Sequence, residues 1–258
     1  MTTCRFAFHL LLAAATALLP LPAADAACNA HSGARTTALV ELYTSEGCSS
    51  CPPAERELAR LREALDPDAA ALALALHVGY WDYTGWKDPY AQAAFAERQG
   101  WLAHANRQPT LYTPEFFVGG AELGPRDGAL RARVRRLNTK PAAAKIRLEA
   151  GIAADGALAL VAEARAADEP AALYVALTES GLVSTVTRGE NSGRRLEHDH
   201  VVRAWIGPVR LVDGRARLAR AIALPAGWNR TQLELVAFVQ DERSGTVLQA
   251  LGARGCAH

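Results

Sequence analysis

The chain has little net charge and little lysine, and it has no long apolar run beyond its N-terminus. Its 28 Lys and Arg residues nearly balance 27 Asp and Glu residues, so the composition gives no electrostatic case for a nucleic-acid partner, which needs a clustered basic face. No G-x-y repeat is present, which excludes a collagen-like chain, and a hydrophobic content of 50% excludes a disordered one. The 258 residues fit one large domain or two ordinary ones.

The longest apolar run lies at the N-terminus, over residues 6–21. It is shorter than the roughly twenty residues that a membrane-spanning helix needs. Arg5 precedes it, and Ala24 and Ala26 place small residues at the two positions that a signal peptidase reads. We therefore predict a signal peptide over residues 1–26, and a mature protein that is exported to the periplasm or secreted, with no membrane span. An N-terminal membrane anchor is the alternative.

Cleavage at that position would leave four cysteines, which allow three pairings. Cys48 and Cys51 are separated by only two residues and are expected to pair with each other. Cys28 and Cys256 then remain, one near each end of the mature chain. We predict a structural disulfide between them that ties the termini together. The alternative is that both are free thiols on frayed ends.

Hydrophobic periodicity changes character near residue 141. Before it, the pattern predicts strands over 38–43, 71–78, 115–118 and 121–123, and helices over 52–65, 89–99 and 127–138. After it, the pattern predicts only strands, over 145–150, 157–164, 171–178, 201–209, 216–224, 232–240 and 246–251. This order predicts an α/β domain over residues 36–140 and an all-β, sandwich-like domain over residues 141–258.

A Cys-Ser-Ser-Cys motif joins the first predicted strand to the first predicted helix. The free backbone N–H groups and the positive dipole end of a helix N-terminus favour a thiolate, which is the reactive form of cysteine. Cys48 is therefore the expected attacking thiol. Cys51 lies further into the helix and is the expected resolving thiol, which releases the product from a mixed disulfide.

Other interpretations of the motif remain open. A permanently oxidised structural disulfide is the main one, and redox potential separates it from an exchange catalyst. Zinc usually needs four ligands, so His77 or the histidines of the 198–200 run would have to complete a site. Haem attachment requires a histidine where Pro52 stands. Copper(I) on the thiols is a weaker option. We predict no metal and no bound cofactor.

A Thr-Pro pair, Thr113 and Pro114, leads into the predicted strand before Gly119-Gly120. A strand, a C-x-x-C on a helix, a strand, a helix and a Thr-Pro before a hairpin and a last helix resemble the thioredoxin fold. The resemblance implies that Pro114 is a cis proline facing the motif and that Thr113 offers backbone groups to an extended substrate. It also implies that Glu41 is a buried acid that assists proton removal from the resolving thiol. A trans proline and a surface glutamate are the alternatives.

A narrower resemblance covers most of the mature chain. The segments that carry it are residues 40–53, 77–89, 112–114, 188–193 and 201–203. They resemble domain of unknown function 1223, an uncharacterised exported bacterial family. Membership implies a thioredoxin-like domain followed by a β-rich part, and it implies no established activity. No Trp precedes the first cysteine and Ser-Ser replaces the usual Gly-Pro, so the redox potential of thioredoxins cannot be transferred.

We expect an exported thiol–disulfide oxidoreductase that exchanges a disulfide with a protein partner through Cys48, resolved by Cys51. This hypothesis requires sulfur atoms that solvent can reach and a Pro114 that lies close to them. The alternative is a non-enzymatic envelope binding or scaffold protein in which the pair is a structural disulfide. His198 and His200, two residues apart, form a possible metal pair, although such a pair is more often solvent-facing.

Overall fold

The computed structural model describes residues 28–124, 130–167 and 170–257, and the predicted signal peptide lies outside them. The strands are β1 (Cys28–His31), β2 (Ala38–Thr44), β3 (Ala71–His77), β4 (Glu115–Val118), β5 (Ala121–Leu123), β6 (Ala144–Ile152), β7 (Leu158–Ala166), β8 (Ala171–Glu179), β9 (Leu182–Thr185), β10 (Arg195–His198), β11 (Val201–Arg210), β12 (Arg215–Ile222), β13 (Leu233–Asp241) and β14 (Val247–Arg254). The helices are α1 (Cys51–Ala59), α2 (Leu61–Ala64), α3 (Ala93–Ala105) and α4 (Leu130–Asn138), with 3-10 turns at Gly79–Thr84 and Arg230–Gln232.

Strand β2 lies inside a sheet that is covered on both faces, which explains its nearly continuous apolar sequence. Because side chains alternate along a strand, Val40 and Leu42 pack in one cluster with α1 and α4. Leu39 and Tyr43 pack on the opposite face, in the cluster that contains residues of α3. The parallel pairing of β2 with β3 and its antiparallel pairing with β4 place the Cys-Ser-Ser-Cys motif directly beyond the end of β2.

One eight-stranded sheet runs through both parts of the chain, in the order β14-β13-β8-β11-β3-β2-β4-β5. Strand β11 pairs antiparallel with β8 and parallel with β3, where Val201 lies opposite Ala75. The N–H of Ala75 donates to the carbonyl of His200 at 2.8 Å. The expected fold class, an α/β thioredoxin-like domain followed by a separate all-β domain, is therefore wrong. The molecule is mostly β, and an edge of β3 that would be exposed in a separate domain is paired instead.

A second sheet, in the order β1-β6-β7-β12, packs over part of the large sheet. Strand β6 alternates buried and exposed residues, which is the pattern of a sheet with one solvated face. Its inward residues join those of β8 and β13 in one apolar core. Cys28 in β1 and Cys256 after β14 form a disulfide, which links the edge strand of the second sheet to the end of the large sheet.

Helix α3 covers the face of the large sheet opposite α1. Phe95 and Leu102 from α3 belong to one cluster with Leu74 of β3 and with Tyr174 and Phe238 from the C-terminal part of the chain. This core crosses residue 140, so packing as well as strand pairing joins the two parts. The domain boundary expected near residue 140 stays a prediction about folding units. In the described ranges no helix is long and apolar enough to cross a membrane.

Two expectations about local structure need correction, and a third lies partly outside the described residues. The helix expected over 89–99 begins at Ala93 and ends at Ala105, because the backbone at Gln92, the residue before it, is extended. The side chain of Asp88 contacts His77 and the backbone N–H groups of Glu46 and Tyr90. The helix expected to start at residue 127 is described only from residue 130. Strands β1, β9 and β10 have no counterpart in the sequence prediction, because each has only four residues and no long alternation.

Candidate functional site

The cysteine pair lies between the end of β2 and the start of α1. Cys48 and Cys51 form a disulfide, with Cα atoms 5.4 Å apart, and Cys51 is the first residue of α1. Pro52 and Pro53 occupy the first turn, where a missing N–H costs nothing. The structure therefore holds both sulfur atoms at a helix N-terminus, where the unpaired backbone N–H groups favour negative charge.

The Thr-Pro pair lies against this disulfide. The peptide bond between Thr113 and Pro114 is cis, and the carbonyl oxygen of Thr113 is 3.8 Å from Sγ of Cys48. The indole N–H of Trp81 donates to Oγ1 of Thr113 at 2.7 Å, which fixes this segment beside the pair. The structure thus brings four of the five predicted site residues together, namely Cys48, Cys51, Thr113 and Pro114.

Both sulfur-bearing residues are buried in the disulfide form. Cys48 and Cys51 are 0% exposed, whereas the intervening Ser49 and Ser50 are exposed. The hydroxyl of Ser50 lies 3.3 Å from Sγ of Cys48 and donates to it, because a disulfide sulfur has no proton to give. The sequence hypothesis required that Pro114 lie close to the sulfur atoms and that solvent reach these atoms. The first condition is met and the second is not.

Glu41, the fifth predicted residue, is not brought to the pair. Its side chain is buried on the α3 face of β2, where Leu39 and Tyr43 also point, whereas α1 packs on the other face. Its carboxylate accepts two hydrogen bonds from the guanidinium of Arg98, at 2.7 and 3.1 Å. Glu41 therefore forms a buried ion pair beneath α3, away from the side of the sheet that carries α1.

The loop between β9 and β10 closes over the motif. Asn191 is fully buried, and its Nδ2 donates to the carbonyls of Glu46 and Cys48, both at 2.9 Å. Oε2 of Glu190 accepts from the backbone N–H of Ser49 at 3.0 Å. This bond lowers the pKa of the exposed Glu190. A loop from the C-terminal part of the chain is therefore part of the site.

A group of five buried side chains, which we name the acid–histidine cluster, lies behind the motif. Its members are Glu46, Glu55, His77, Asp88 and His198. His198 contacts two carboxylates, with Nε2 at 2.9 Å from Oε1 of Glu46 and Nδ1 at 2.5 Å from Oε2 of Glu55. Nδ1 of His77 contacts Oδ2 of Asp88 at 2.8 Å. Two of the carboxylates flank the motif directly, since Glu46 precedes Cys48 and Glu55 lies one turn after Cys51.

Charge in the acid–histidine cluster is governed by these contacts. Burial lowers the pKa of His198, but its hydrogen bonds to Glu46 and Glu55 outweigh burial and raise that pKa to about 10. Burial raises the pKa of Glu55, but the hydrogen bond with His198, the nearby imidazoles and the hydrogen bond from Thr44 together outweigh burial and lower it. His198 is therefore a protonated imidazolium between two carboxylates at neutral pH. His200, the other half of the expected pair, does not share this site, because it lies in the turn between β10 and β11 with a φ of 58°.

Sequence reasoning missed Glu55, Asn191 and the joint role of His77 and His198. Glu55 carried a usable signal, since it follows Cys51 by four residues and so lies on the same side of α1. Asn191 lies in the 188–193 segment, which the family resemblance had marked without a role. His77 and His198 come from β3 and β10, and no local pattern places these strands together.

Comparison with known proteins supports the fold and leaves the activity open. A family profile described as "Protein of unknown function (DUF1223)" matches residues 39–240. No curated protein matches the chain. The crystal structure of protein AGR_C_4864 from Agrobacterium tumefaciens is 23% identical, with 86% of this chain and 95% of that chain covered and a TM-score of 0.62. HBP35 of Porphyromonas gingivalis is 16% identical, with 86% and 76% covered and a TM-score of 0.65. These likenesses show a shared fold.

Proposed function

This chain belongs to the uncharacterised DUF1223 family, and we propose that it is an exported thiol–disulfide oxidoreductase that exchanges disulfides with a protein partner. One observation carries the proposal. The Cys48–Cys51 disulfide lies at the start of α1, with Sγ of Cys48 3.8 Å from the carbonyl oxygen of Thr113, the residue before Pro114. A helix N-terminus favours the thiolate that exchange requires, and a nearby backbone carbonyl can accept a hydrogen bond from an extended partner chain.

The reduced pair would act in two balanced steps. The Cys48 thiolate attacks one sulfur of a partner disulfide, which forms a mixed disulfide and releases the other partner sulfur as a thiolate that takes up a proton. Cys51, deprotonated in turn, then attacks Sγ of Cys48 and releases the second partner sulfur. The partner gains two electrons and the cysteine pair loses two. The same steps in reverse pass the disulfide to a partner dithiol.

A cavity beside the pair supports binding of an extended segment. It has a volume of about 380 Å³. Its lining comes from α1, from the Thr-Pro segment and from β4, and includes Ser50, Pro53, Tyr112, Pro114 and Phe116. This mixture of apolar and polar side chains beside the cis Thr113–Pro114 bond suits an extended partner segment.

Exchange would require a local opening, because both sulfurs are buried. The bond between the exposed carboxylate of Glu190 and the N–H of Ser49 lies at the outer edge of the site and is the contact that solvent reaches most readily. Displacement of the 188–193 loop would release the carbonyl of Cys48 and the N–H of Ser49 from Asn191 and Glu190 while leaving α1 in place. We propose that a partner binds with this loop displaced.

An oxidising compartment fits the cysteine usage. The structure contains two disulfides, and disulfides persist mainly in exported proteins. Together with the signal peptide predicted over residues 1–26, this supports a periplasmic or secreted location.

A second candidate function is favoured by one observation, the full burial of both sulfurs. In that case Cys48–Cys51 is a structural disulfide in a non-enzymatic envelope binding or scaffold protein. A trapping experiment separates the two functions. After mild reduction, Cys51→Ser is incubated with glutathione disulfide, and mass spectrometry then locates the adduct.

The exchange function predicts a stable glutathione adduct on Cys48 in Cys51→Ser. Wild-type protein should show little adduct because Cys51 resolves it, and the Cys48→Ser/Cys51→Ser control should show none. If Cys48 in folded Cys51→Ser stays unmodified, the oxidoreductase proposal is wrong and the structural disulfide is the better account.

A further inference from the structure

His77 has one ring nitrogen with a partner and one without. Nδ1 contacts Oδ2 of Asp88 at 2.8 Å, while Nε2 is buried and has no hydrogen-bond partner among the described residues. The whole side chain is 0% exposed. A buried polar atom without a partner requires an explanation. A histidine that binds one carboxylate and leaves the other nitrogen free has the arrangement of a metal ligand.

Two further donor atoms converge on the same place. Glu55 on α1 and His198 on β10 each offer one atom that, with His77 on β3, forms a set lying within 4.8 Å of one another. The hydroxyl of Thr44 donates to Oε1 of Glu55 at 2.6 Å, which fixes the carboxylate and leaves Oε2 on the side of His198. We propose that Glu55, His77 and His198 bind one divalent first-row transition-metal ion, such as Zn²⁺.

The surrounding residues support both histidines as ligands. The carboxylate of Asp88 contacts Nδ1 of His77 at 2.8 Å, and the carboxylate of Glu46 contacts Nε2 of His198 at 2.9 Å. Each imidazole therefore has a carboxylate on the nitrogen that faces away from the proposed ion. Such partners fix the ring orientation and increase the basicity of the ligating nitrogen.

The charge balance also favours a cation. The acid–histidine cluster holds three buried carboxylates and two imidazoles, so negative charge is in excess even with both imidazoles protonated. Unbalanced charge is costly to bury. A divalent ion that replaces the proton between Nδ1 of His198 and Oε2 of Glu55 adds one net positive charge, and so reduces this excess without removing it.

The donor set narrows the choice of ion. Two imidazoles and one carboxylate suit Zn²⁺ and its neighbours better than Ca²⁺ or Mg²⁺, which prefer oxygen. Ligand distances of about 2.0–2.2 Å place the donor atoms of a tetrahedral site about 3.3–3.6 Å apart. Ion binding would therefore separate Nδ1 of His198 from Oε2 of Glu55, which are 2.5 Å apart, by about 1 Å. Because the three ligands are almost fully buried, we expect an ion that exchanges slowly.

Zn²⁺ binding to oxidised, full-length mature protein tests the site. The protein is stripped with a chelator, reloaded with Zn²⁺, passed through gel filtration and analysed for metal. We expect about one bound Zn²⁺ per chain, and a loss of at least about tenfold in affinity in His77→Ala. His200→Ala is the matched control, since His200 lies two residues from His198 and outside the ligand set. This control should bind as wild type does.

Two further variants separate Zn²⁺ binding from the cysteines and from loss of folding. Cys48→Ser/Cys51→Ser should bind Zn²⁺ normally, which separates this site from a thiol site and from the proposed exchange function. Asp88→Asn retains all three ligands and should weaken binding about 10- to 100-fold, with a changed visible spectrum of bound Co²⁺. If folded wild-type protein retains no more Zn²⁺ than His77→Ala does, the proposal is wrong.

Discussion

The two disulfides of this protein lie in regions that are built differently. Cys28–Cys256 joins residues 228 apart in sequence and links two packed sheets, whereas Cys48–Cys51 joins residues 3 apart and links a loop to a helix end. By the loop-entropy relation the first closure stabilises the fold by up to about 5 kcal/mol and the second by about 2 kcal/mol. Stability thus accounts well for the first disulfide and less well for the second.

The contrast extends to what surrounds each pair. The sandwich region around Cys256 is an apolar core of alternating strand residues. The region around Cys48 contains a buried network of charged side chains, a loop from a distant part of the chain and a cavity. Buried charge costs stability unless it is compensated. A region that contains so much of it is better explained by chemistry than by packing.

Removal of each disulfide tests this contrast most strongly. Cys28→Ser/Cys256→Ser should lower the free energy of unfolding by up to about 5 kcal/mol, and Cys48→Ser/Cys51→Ser by about 2 kcal/mol or less. Chemical denaturation of both variants and wild type, under oxidising conditions, measures the difference. An equal loss in the two variants would break the comparison, because Cys48–Cys51 would then stabilise the fold as much as the long-range bridge does.

Asn191 tests whether hydrogen bonds, rather than the short disulfide, fix the motif. Asn191→Ala removes the side-chain donor to the carbonyls of Glu46 and Cys48. The carbonyl of Cys48 still accepts from the N–H of Cys51 at 3.2 Å, so we expect a loss of about 1–2 kcal/mol in unfolding free energy. Reduction of Cys48–Cys51 by a small dithiol should become faster. Ser192→Ala, in the same loop but exposed, is the control and should change neither quantity. An unchanged reduction rate in Asn191→Ala would show that this loop does not limit access.

The next prediction concerns Glu115, the residue after Pro114, and the way in which the unfolding free energy changes with pH. Burial raises the pKa of Glu115 to about 7, although a hydrogen bond from Gln99 opposes the shift. Because the folded protein then holds a proton that the unfolded chain releases near pH 4.5, unfolding free energy falls as pH rises from about 4.5 to 7. Glu115→Gln should remove about 1–2 kcal/mol of that fall. Denaturation at pH 5 and pH 8 measures it, and identical pH slopes for variant and wild type would contradict the account.

Glu190 gives the smallest expected effect. Its carboxylate accepts from the N–H of Ser49, the residue after Cys48, and its negative charge should oppose thiolate formation at Cys48. Glu190→Gln should raise the alkylation rate of Cys48 in reduced protein by about two- to fivefold, less at high salt, because the carboxylate is exposed. Unfolding free energy should be the same as that of wild type, because the side chain is exposed. A slower alkylation rate would mean that Glu190 promotes access rather than opposing the thiolate.

Local features of the fold were predictable from sequence. Strands β2, β3, β4 and β5 agree with the predicted bounds within one residue, because short apolar runs and the Gly119-Gly120 turn mark them clearly. The pairing of β11 with β3 was not predictable. Periodicity identifies a strand and the face it buries, but it carries no information about which distant strand lies beside it. That missing information made the expected fold class, an α/β thioredoxin-like domain followed by a separate all-β domain, wrong.

Prediction of the candidate site from sequence was limited in the same way. The cysteine motif and the Thr-Pro segment are local patterns, and the structure brings them together. Glu41 was assigned from a resemblance, whereas the alternation of β2 puts it on the face of Leu39 and Tyr43, opposite α1. Asn191 lies more than 140 residues after Cys48, with a sequence separation of 143. Only tertiary structure reveals such partners.

The redox potential of Cys48–Cys51 tests the central claim most directly. Wild-type protein is equilibrated with glutathione and dithiol buffers of defined potential, and mass spectrometry measures the oxidised fraction of the peptide that contains both cysteines. The helix N-terminus stabilises the Cys48 thiolate and so the reduced form. We therefore predict a potential less negative than about −300 mV, in the range of exchange catalysts. A potential more negative than about −300 mV would contradict the account and identify the pair as a structural disulfide.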